Sequence, residues 1–250
     1  MILLEGTHLL EEAFKTSCLP IEIIATNSWL KSHLNLVEGF SKSIPIKKVT
    51  EDVLAAALTT KTPDGVASVF PLKALPLGDQ NPNFVLALDR LQDPGNIGTL
   101  FRTALAADIN MVWLALGADP LSQKAIRSSA GAVLHIPFAR FGSSQEEAIK
   151  AFSRKLKLAC DDGYQVIATL LQNCLEVHDI RPYWEIDWTK PTVLVLGNEG
   201  SGIHPLIKSS CNNFITLPHS KAVESLNVAS VAVPLLLERR RAKMTSDIKI

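Results

Sequence analysis

Val193-Leu194-Val195-Leu196-Gly197-Asn198-Glu199-Gly200-Ser201-Gly202-Ile203 is the stretch on which the fold turns. Four apolar residues run without interruption into a loop that holds three glycines and one acid. An uninterrupted apolar run of this length reads as a strand buried on both faces, as in parallel α/β sheets. The glycines let the chain turn sharply or approach a ligand closely, because they carry no Cβ. His204-Pro205-Leu206-Ile207 follows, with Pro205 near the first turn of a short helix, where its missing N–H costs little. A strand therefore ends, a bare-backbone loop forms, and a helix begins. In open α/β sheets this edge is where ligands bind. The spacing G-x-x-G-x-G is the reverse of the dinucleotide fingerprint, and no Gly-Lys-Ser/Thr is present to make a P-loop. A glycine turn without a ligand stays open on this loop alone.

Working outward, the flanking segments alternate strand and helix. Strands are expected at residues 84–88, 111–116, near 133–136, at 166–170 and at 214–218. Helices are expected at 97–107, 122–130, 144–158 and 223–241. That alternation implies parallel strands and a three-layer α/β/α sandwich. Pro234 interrupts the last helix, which either bends there or has other bounds. Its end, Arg239-Arg240-Arg241-Ala242-Lys243, reads as a solvated terminus or an RNA-facing patch. The front of the chain reads as a smaller α/β module, with helices at 7–15, 28–37 and 51–58. Thr50 caps the last of these. Strands are expected at 21–26, 44–49 and 66–70. Pro71, Pro76, Gly78, Asp79, Asn81, Pro82 and Asn83 crowd into a linker. The domains are thus placed at 1–78 and 79–250.

Twenty-five Lys plus Arg balance 25 Asp plus Glu, so bulk charge announces no nucleic-acid partner, though a local basic patch is compatible with it. The four cysteines, Cys18, Cys160, Cys174 and Cys211, are scattered without a C-x-x-C pair. This fits free thiols in a reducing compartment and no metal site. No run approaches the ~20 apolar residues of a membrane span, and the first residues lack a signal-peptide pattern. A cytoplasmic protein is expected.

Three loops stand at three strand ends: 93–104 (Asp-Pro-Gly-Asn-Ile-Gly-Thr-Leu-Phe-Arg-Thr-Ala), the glycine loop, and 217–229 (Leu-Pro-His-Ser-Lys-Ala-Val-Glu-Ser-Leu-Asn-Val-Ala). In this order they resemble the three motifs of the SpoU (TrmH-type) RNA ribose 2′-O-methyltransferases of the SPOUT superfamily. Arg127-Ser128-Ser129-Ala130-Gly131 resembles that family's segment between the first two motifs. The front module resembles its small ribosomal-protein-like RNA-binding domain. The resemblance implies a C-terminal trefoil knot, S-adenosyl-L-methionine as cofactor, an RNA substrate, and a homodimer with sites near the subunit interface. Ribosomal RNA is the first expectation for the substrate. Transfer RNA is the near alternative, and a non-catalytic RNA-binding or ribosome-assembly protein the distant one.

Carried over by motif, the cofactor pocket would use Gly197, Leu217 and Leu226, with Leu196, Glu199, Gly200 and Pro218. Arg102 would be the catalytic residue: the resemblance casts it as the proton acceptor, helped by a substrate phosphate, whereas the chemistry of a guanidinium favours clamping that phosphate and stabilising a developing alkoxide. Asn96, Glu199, Ser225 and Asn227 would position the hydroxyl. Glu199 would hold the loop, offset the sulfonium charge, or cap the helix that follows. His219, where a methionine is common, would pack against the cofactor. Most members carry further residues ahead of Leu4-Glu5-Gly6, so the front module is expected to lack its opening helix and perhaps a strand.

Overall fold

The computed structural model describes residues 1–16, 19–40, 43–171 and 179–247. The front part runs β1 (Ile2–Glu5), α1 (Thr7–Lys15), β2 (Glu22–Thr26), α2 (Asn27–Ser32), α3 (Leu34–Phe40), β3 (Ile46–Val49), α4 (Glu51–Ala57) and β4 (Val66–Phe70). Its four strands lie in the order β1-β4-β2-β3. The Ile2–Glu5 strand, not read from the sequence, pairs antiparallel with β4. The expected helix over 28–37 breaks at His33, which ends α2. Thr50 does cap α4, accepting from Val53 N.

The larger part runs β5 (Phe84–Asp89), α5 (Pro94–Ala106), β6 (Met111–Ala115), α6 (Gln123–Ser128), β7 (Phe138–Phe141), α7 (Gln145–Asp161) and β8 (Gln165–Thr169). It ends with β9 (Arg181–Pro182), β10 (Thr192–Leu196), α8 (Pro205–Lys208), β11 (Asn213–Thr216) and α9 (Val228–Asp247). Its seven strands lie in the order β7-β6-β5-β10-β8-β11-β9, and every pairing is parallel.

Alternation along the two central strands explains the uninterrupted apolar runs. Leu86, Leu88, Leu194 and Leu196 enter one core, while Val85, Ala87, Val193 and Val195 enter the other. Successive side chains on a strand point to opposite faces, so a sheet covered on both sides needs apolar residues at every position. Helices α5, α6 and α9 cover the first face, and α7 and α8 the second. This is the expected three-layer α/β/α sandwich. The first core does not stop at the linker: Ile2, Leu4, Leu9, Ala13 and Phe70 of the front part belong to it.

Three expectations are corrected here. The apolar run at 133–136 is not a strand. Ala132–Leu134 forms a buried 3-10 turn, and the strand comes later as β7, at the sheet edge with a half-exposed pattern. The last helix starts at Val228 rather than 223, capped by Asn227, whose Oδ1 accepts from Ala229 N and Ser230 N. It runs on through Pro234. The missing donor falls to the carbonyl of Ser230, an exposed residue that water can satisfy. The arginines at its end are not a free basic patch. Arg239 is buried, donating to the Trp188 carbonyl and lying 5.4 Å over the Phe84 ring. Arg240 pairs with Asp108 and Arg241 with Glu238.

Cys160 and Cys211 are free thiols, and burial pushes the Cys211 thiol up to about 12. Cys18 and Cys174 lie outside the described residues. Among the described residues no helix is long and apolar enough to cross a membrane, and no His/Cys/Asp/Glu group could hold a metal ion.

Gly98 sets how closely α5 and α6 approach. A Cβ there would stand 2.0 Å from Ser128 Oγ and 2.3 Å from the Ala125 carbonyl oxygen. Backbone cannot move aside cheaply, so Gly98→Ala is expected to destabilise the protein by about 1–3 kcal/mol. Thermal melts should show Tm lower by several degrees, about 2–4 °C per kcal/mol at this chain length.

Candidate active site

β5 and β10 are neighbours, so the loops leaving their C-terminal ends emerge side by side. Asp89, at the end of β5, is fully buried and organises the junction. It accepts from Arg90 Nε at 2.7 Å and Nη2 at 3.1 Å, a two-point fork. It also accepts from His204 N at 2.7 Å, which draws the far side of the glycine loop back to β5. Arg90 holds a left-handed φ of 54° to make the turn. Hydrogen bonding to Asp89 raises its guanidinium above the ordinary value.

The glycine loop closes on itself. Asn198 and Gly202 exchange two backbone hydrogen bonds of 3.0 Å, and Asn198 Oδ1 accepts from Gly200 N and Ser201 N, both at 3.0 Å. Its Nδ2 donates to the Arg90 carbonyl at 2.8 Å. A Cβ on Gly197 would meet the backbone of Gly202 at 2.5 Å and Ile203 N at 2.6 Å. Gly197 is therefore required by the closing of the loop itself, while its own face stays open to the cleft.

Glu199 leaves the loop and reaches the start of α5. Its carboxylate accepts from Gln92 N at 3.2 Å, Asp93 N at 3.4 Å and Asn96 Nδ2 at 3.2 Å. Asn96 Oδ1 in turn accepts from Asn227 Nδ2 at 3.1 Å. One chain of hydrogen bonds thus links the three loops. Glu199 does not cap the helix that follows, since His204 Nδ1 takes that place by accepting from Leu206 N. Asn96 sits within the first turn of α5 instead of in a loop, because Asp93 caps that helix with Pro94 at its first position.

Beside this junction lies a cleft of about 720 Å³. Leu196, Gly197, Glu199, Gly200, Leu217, Ser225, Leu226 and Asn227 all line it, as does His219, whose Nδ1 is 2.9 Å from the Leu217 carbonyl. Pro218 and Arg102 do not. Pro218 is exposed beside Leu217. Arg102 is exposed on α5, six residues past Asn96, or ~9 Å of helix rise. It has no ion-pair or hydrogen-bond partner among the described residues. Sequence reading missed Asp89 and Asn198, and also Thr169 and Leu170 at the end of β8, which line the cleft from the next strand. Position at a strand C-terminus was the available signal for all of them.

Residues 83–237 match the SpoU rRNA Methylase family. The chain belongs to that family. It is similar to an uncharacterized tRNA/rRNA methyltransferase of Synechocystis, with 33% identity over 98% of this chain and 86% of that protein. It is also 33% identical to the Bacillus subtilis 23S rRNA (guanosine(2553)-2′-O)-methyltransferase RlmP, over 95% of this chain and 88% of the relative. Among solved structures it resembles the AdoMet-bound rRNA methyltransferase of Sinorhizobium meliloti, with TM-score 0.76, 28% identity, and coverage of 96% of this chain and 87% of that one. The protein is thus a SpoU methyltransferase whose likeness to these relatives extends over 95% or more of its chain.

For this SpoU methylase, Asn198→Ala should loosen the glycine loop. It removes the acceptor of two backbone N–H groups and the donor to the Arg90 carbonyl. Both amides lie in an exposed part of the loop, so each lost bond costs the ordinary net amount of about 0.5–1.5 kcal/mol. Amide exchange should accelerate at Gly200 and Ser201 while β10 stays protected.

Proposed function

We propose that the protein methylates ribose 2′-hydroxyl groups of RNA, ribosomal RNA in the first place, using S-adenosyl-L-methionine. The observation that carries this reading is the Glu199–Asn96–Asn227 chain of hydrogen bonds, which gathers all three motif loops beside one cleft. The cleft suits the cofactor in size, within the roughly 300–1,000 Å³ of ordinary ligand sites. Its walls suit it in chemistry. Leu196, Leu217 and Leu226 offer apolar faces to a flat base, and Gly197 and Gly200 offer bare backbone to its polar edge. Leu226 is 38% exposed, apolar surface at the cleft that a bound base would cover. Glu199 and Glu224 place negative charge at the cleft, suited to a sulfonium.

S-adenosyl-L-methionine, held by Gly197, Leu217 and Leu226, would supply an electrophilic methyl group for transfer to the ribose oxygen. The residues of this chain position and stabilise. Asn96 and Asn227 hold each other, and Ser225 lies beside Asn227 in the cleft wall, so the group presented to an entering hydroxyl is fixed before it arrives. A guanidinium carries donors and no acceptor, so Arg102 serves as a clamp rather than a base. Its guanidinium holds a substrate phosphate and lowers the cost of charge on the ribose oxygen as the hydroxyl proton leaves to solvent.

Arg102 stands outside the cleft of its own chain, which accords with a homodimer that completes the site. The outer faces of α5 and α9 support that assembly: Leu105, Val233 and Leu237 are each 40–42% exposed there. The C-terminal segment meets the first turn of α5 at the Asn227–Asn96 contact before α9 packs on α5. That course accords with the trefoil knot of the family. Residues 1–78 would be the RNA-gripping module, and the compartment the cytoplasm.

Arg102→Ala should lower methyl transfer to ribosomal RNA by about 10²-fold or more, the scale of losing one charge-stabilising group. Cofactor affinity, read by calorimetry, should change less than about twofold, because Arg102 is outside the cleft. Lost cofactor binding with intact transfer would reverse the assignment.

A further inference from the structure

α6 stands between the two parts of the chain and touches both. Toward the front part, Arg127 Nη1 donates to Glu5 Oε2 at 3.2 Å and to Thr59 Oγ1 at 2.5 Å. Gln123 Nε2 donates to the Leu3 carbonyl at 2.8 Å. Just past α6, His135 Nε2 lies 2.9 Å from Glu12 Oε2, and a Cβ on Gly131 would stand 2.8 Å from Glu12 Cβ. Toward the catalytic side, Lys124 Nζ donates to Asp93 Oδ1 at 2.6 Å, and Ser128 packs against Gly98 of α5. Asp93 is the cap of α5, and its own N–H goes to Glu199. A helix of under two turns is thereby fastened by one face, Gln123 and Arg127, to the RNA-gripping module and by the next, Lys124 and Ser128, to the helix that carries Asn96 and Arg102.

Glu5 is the unusual member of this set. Its side chain is 1% exposed, yet it carries a carboxylate. Besides Arg127, it accepts from Thr59 N at 2.9 Å, Thr59 Oγ1 at 3.0 Å, Thr60 N at 3.0 Å and Thr60 Oγ1 at 2.5 Å. Burial alone would raise its pKa, but the hydrogen bonds from Thr60 and Thr59 outweigh it and hold the carboxyl below the ordinary value. Parting α6 from the front part would remove the cation that faces this buried charge, so the seam resists opening. The hydrophobic core that crosses the same seam adds to that resistance.

We infer that α6 is a rigid strut that holds the RNA-gripping module and the catalytic helix α5 in one registration, with the Glu5–Arg127 pair as its pin and both residues acting as positioning residues for methyl transfer. This rests on the RNA methyltransferase reading. An RNA long enough to touch both parts is then delivered to the cleft at a set distance. A short RNA that reaches only the cleft gains nothing from the strut.

The test uses the full chain, wild type against Glu5→Gln, Arg127→Gln and Arg127→Lys. The probes are an unmodified ribosomal RNA transcript and a short hairpin cut from the region of that transcript that becomes methylated. With either glutamine variant, KM for the transcript should rise about tenfold, a modest share of what linked sites commonly contribute. The rate at saturation should change less than about twofold, and hairpin methylation should not change. Arg127→Lys, which keeps the charge but loses the planar guanidinium, should fall between. Equal losses on transcript and hairpin, or no loss on either, would overturn the strut. Small-angle scattering decides the matter without any substrate. One rigid shape should fit the wild type, and a mixture with displaced front modules should be needed for Glu5→Gln. A wild type that itself needs such a mixture overturns the inference. A wild type that binds no cofactor and methylates no RNA, yet scatters as one rigid shape, leaves the strut standing and sinks the enzyme reading instead.

Discussion

The pairing of β10 with β5 at the middle of a sheet covered on both faces is the constraint on which the site depends. Their register, Thr192 opposite Phe84 through Leu196 opposite Leu88, is locked because each strand feeds two cores with alternate side chains. A slip of one residue would send each set to the wrong face. With the register fixed, Asp89 and Gly197 leave the sheet side by side. The buried Asp89 carboxylate can then take both the Arg90 fork and the His204 amide. Everything polar at the site is arranged around that junction.

Much of this was legible in the residues. Val193–Leu196 and Phe84–Leu88 announce strands buried on both faces, because no polar residue interrupts them. Thr50 and Ser144 announce helix starts through the acids that follow them. Where reading failed, a longer-range partner decided the outcome. Val133, Leu134 and Ile136 are apolar enough to suggest a strand, but Gly131 in a left-handed turn starts a 3-10 coil that fills the core beneath α5, and His135 turns out to Glu12. The stretch 223–227 reads as helix, yet Asn227 spends its side chain capping α9 and reaching Asn96, 131 positions earlier. No local pattern encodes such a contact. Asn96 itself was misplaced despite a usable signal, Asp93-Pro94, the pairing of a cap residue with a first-turn proline.

The candidate site divides the same way. Its cleft wall could be named from three loops at three strand ends, since those loops must converge at one sheet edge. What holds the loops together could not. Glu199 reaching across to Asn96, and Asn198 folding the glycine turn onto Arg90, depend on side-chain directions that spacing does not fix. Formal neutrality concealed the distribution of charge. Arg90, Arg127, Arg239, Arg240 and Arg241 are all engaged within the fold, while Arg102 faces outward without a partner among the described residues.

The apolar core that passes from α1 and β1 into the large sheet bears on what a cut at the linker would do. Leu4, Leu9 and Phe70 share one core with Phe101 and Val133, so separating the two parts would leave greasy surface bare on both fragments. Either piece made alone would be sticky, and the intact chain is the unit to handle.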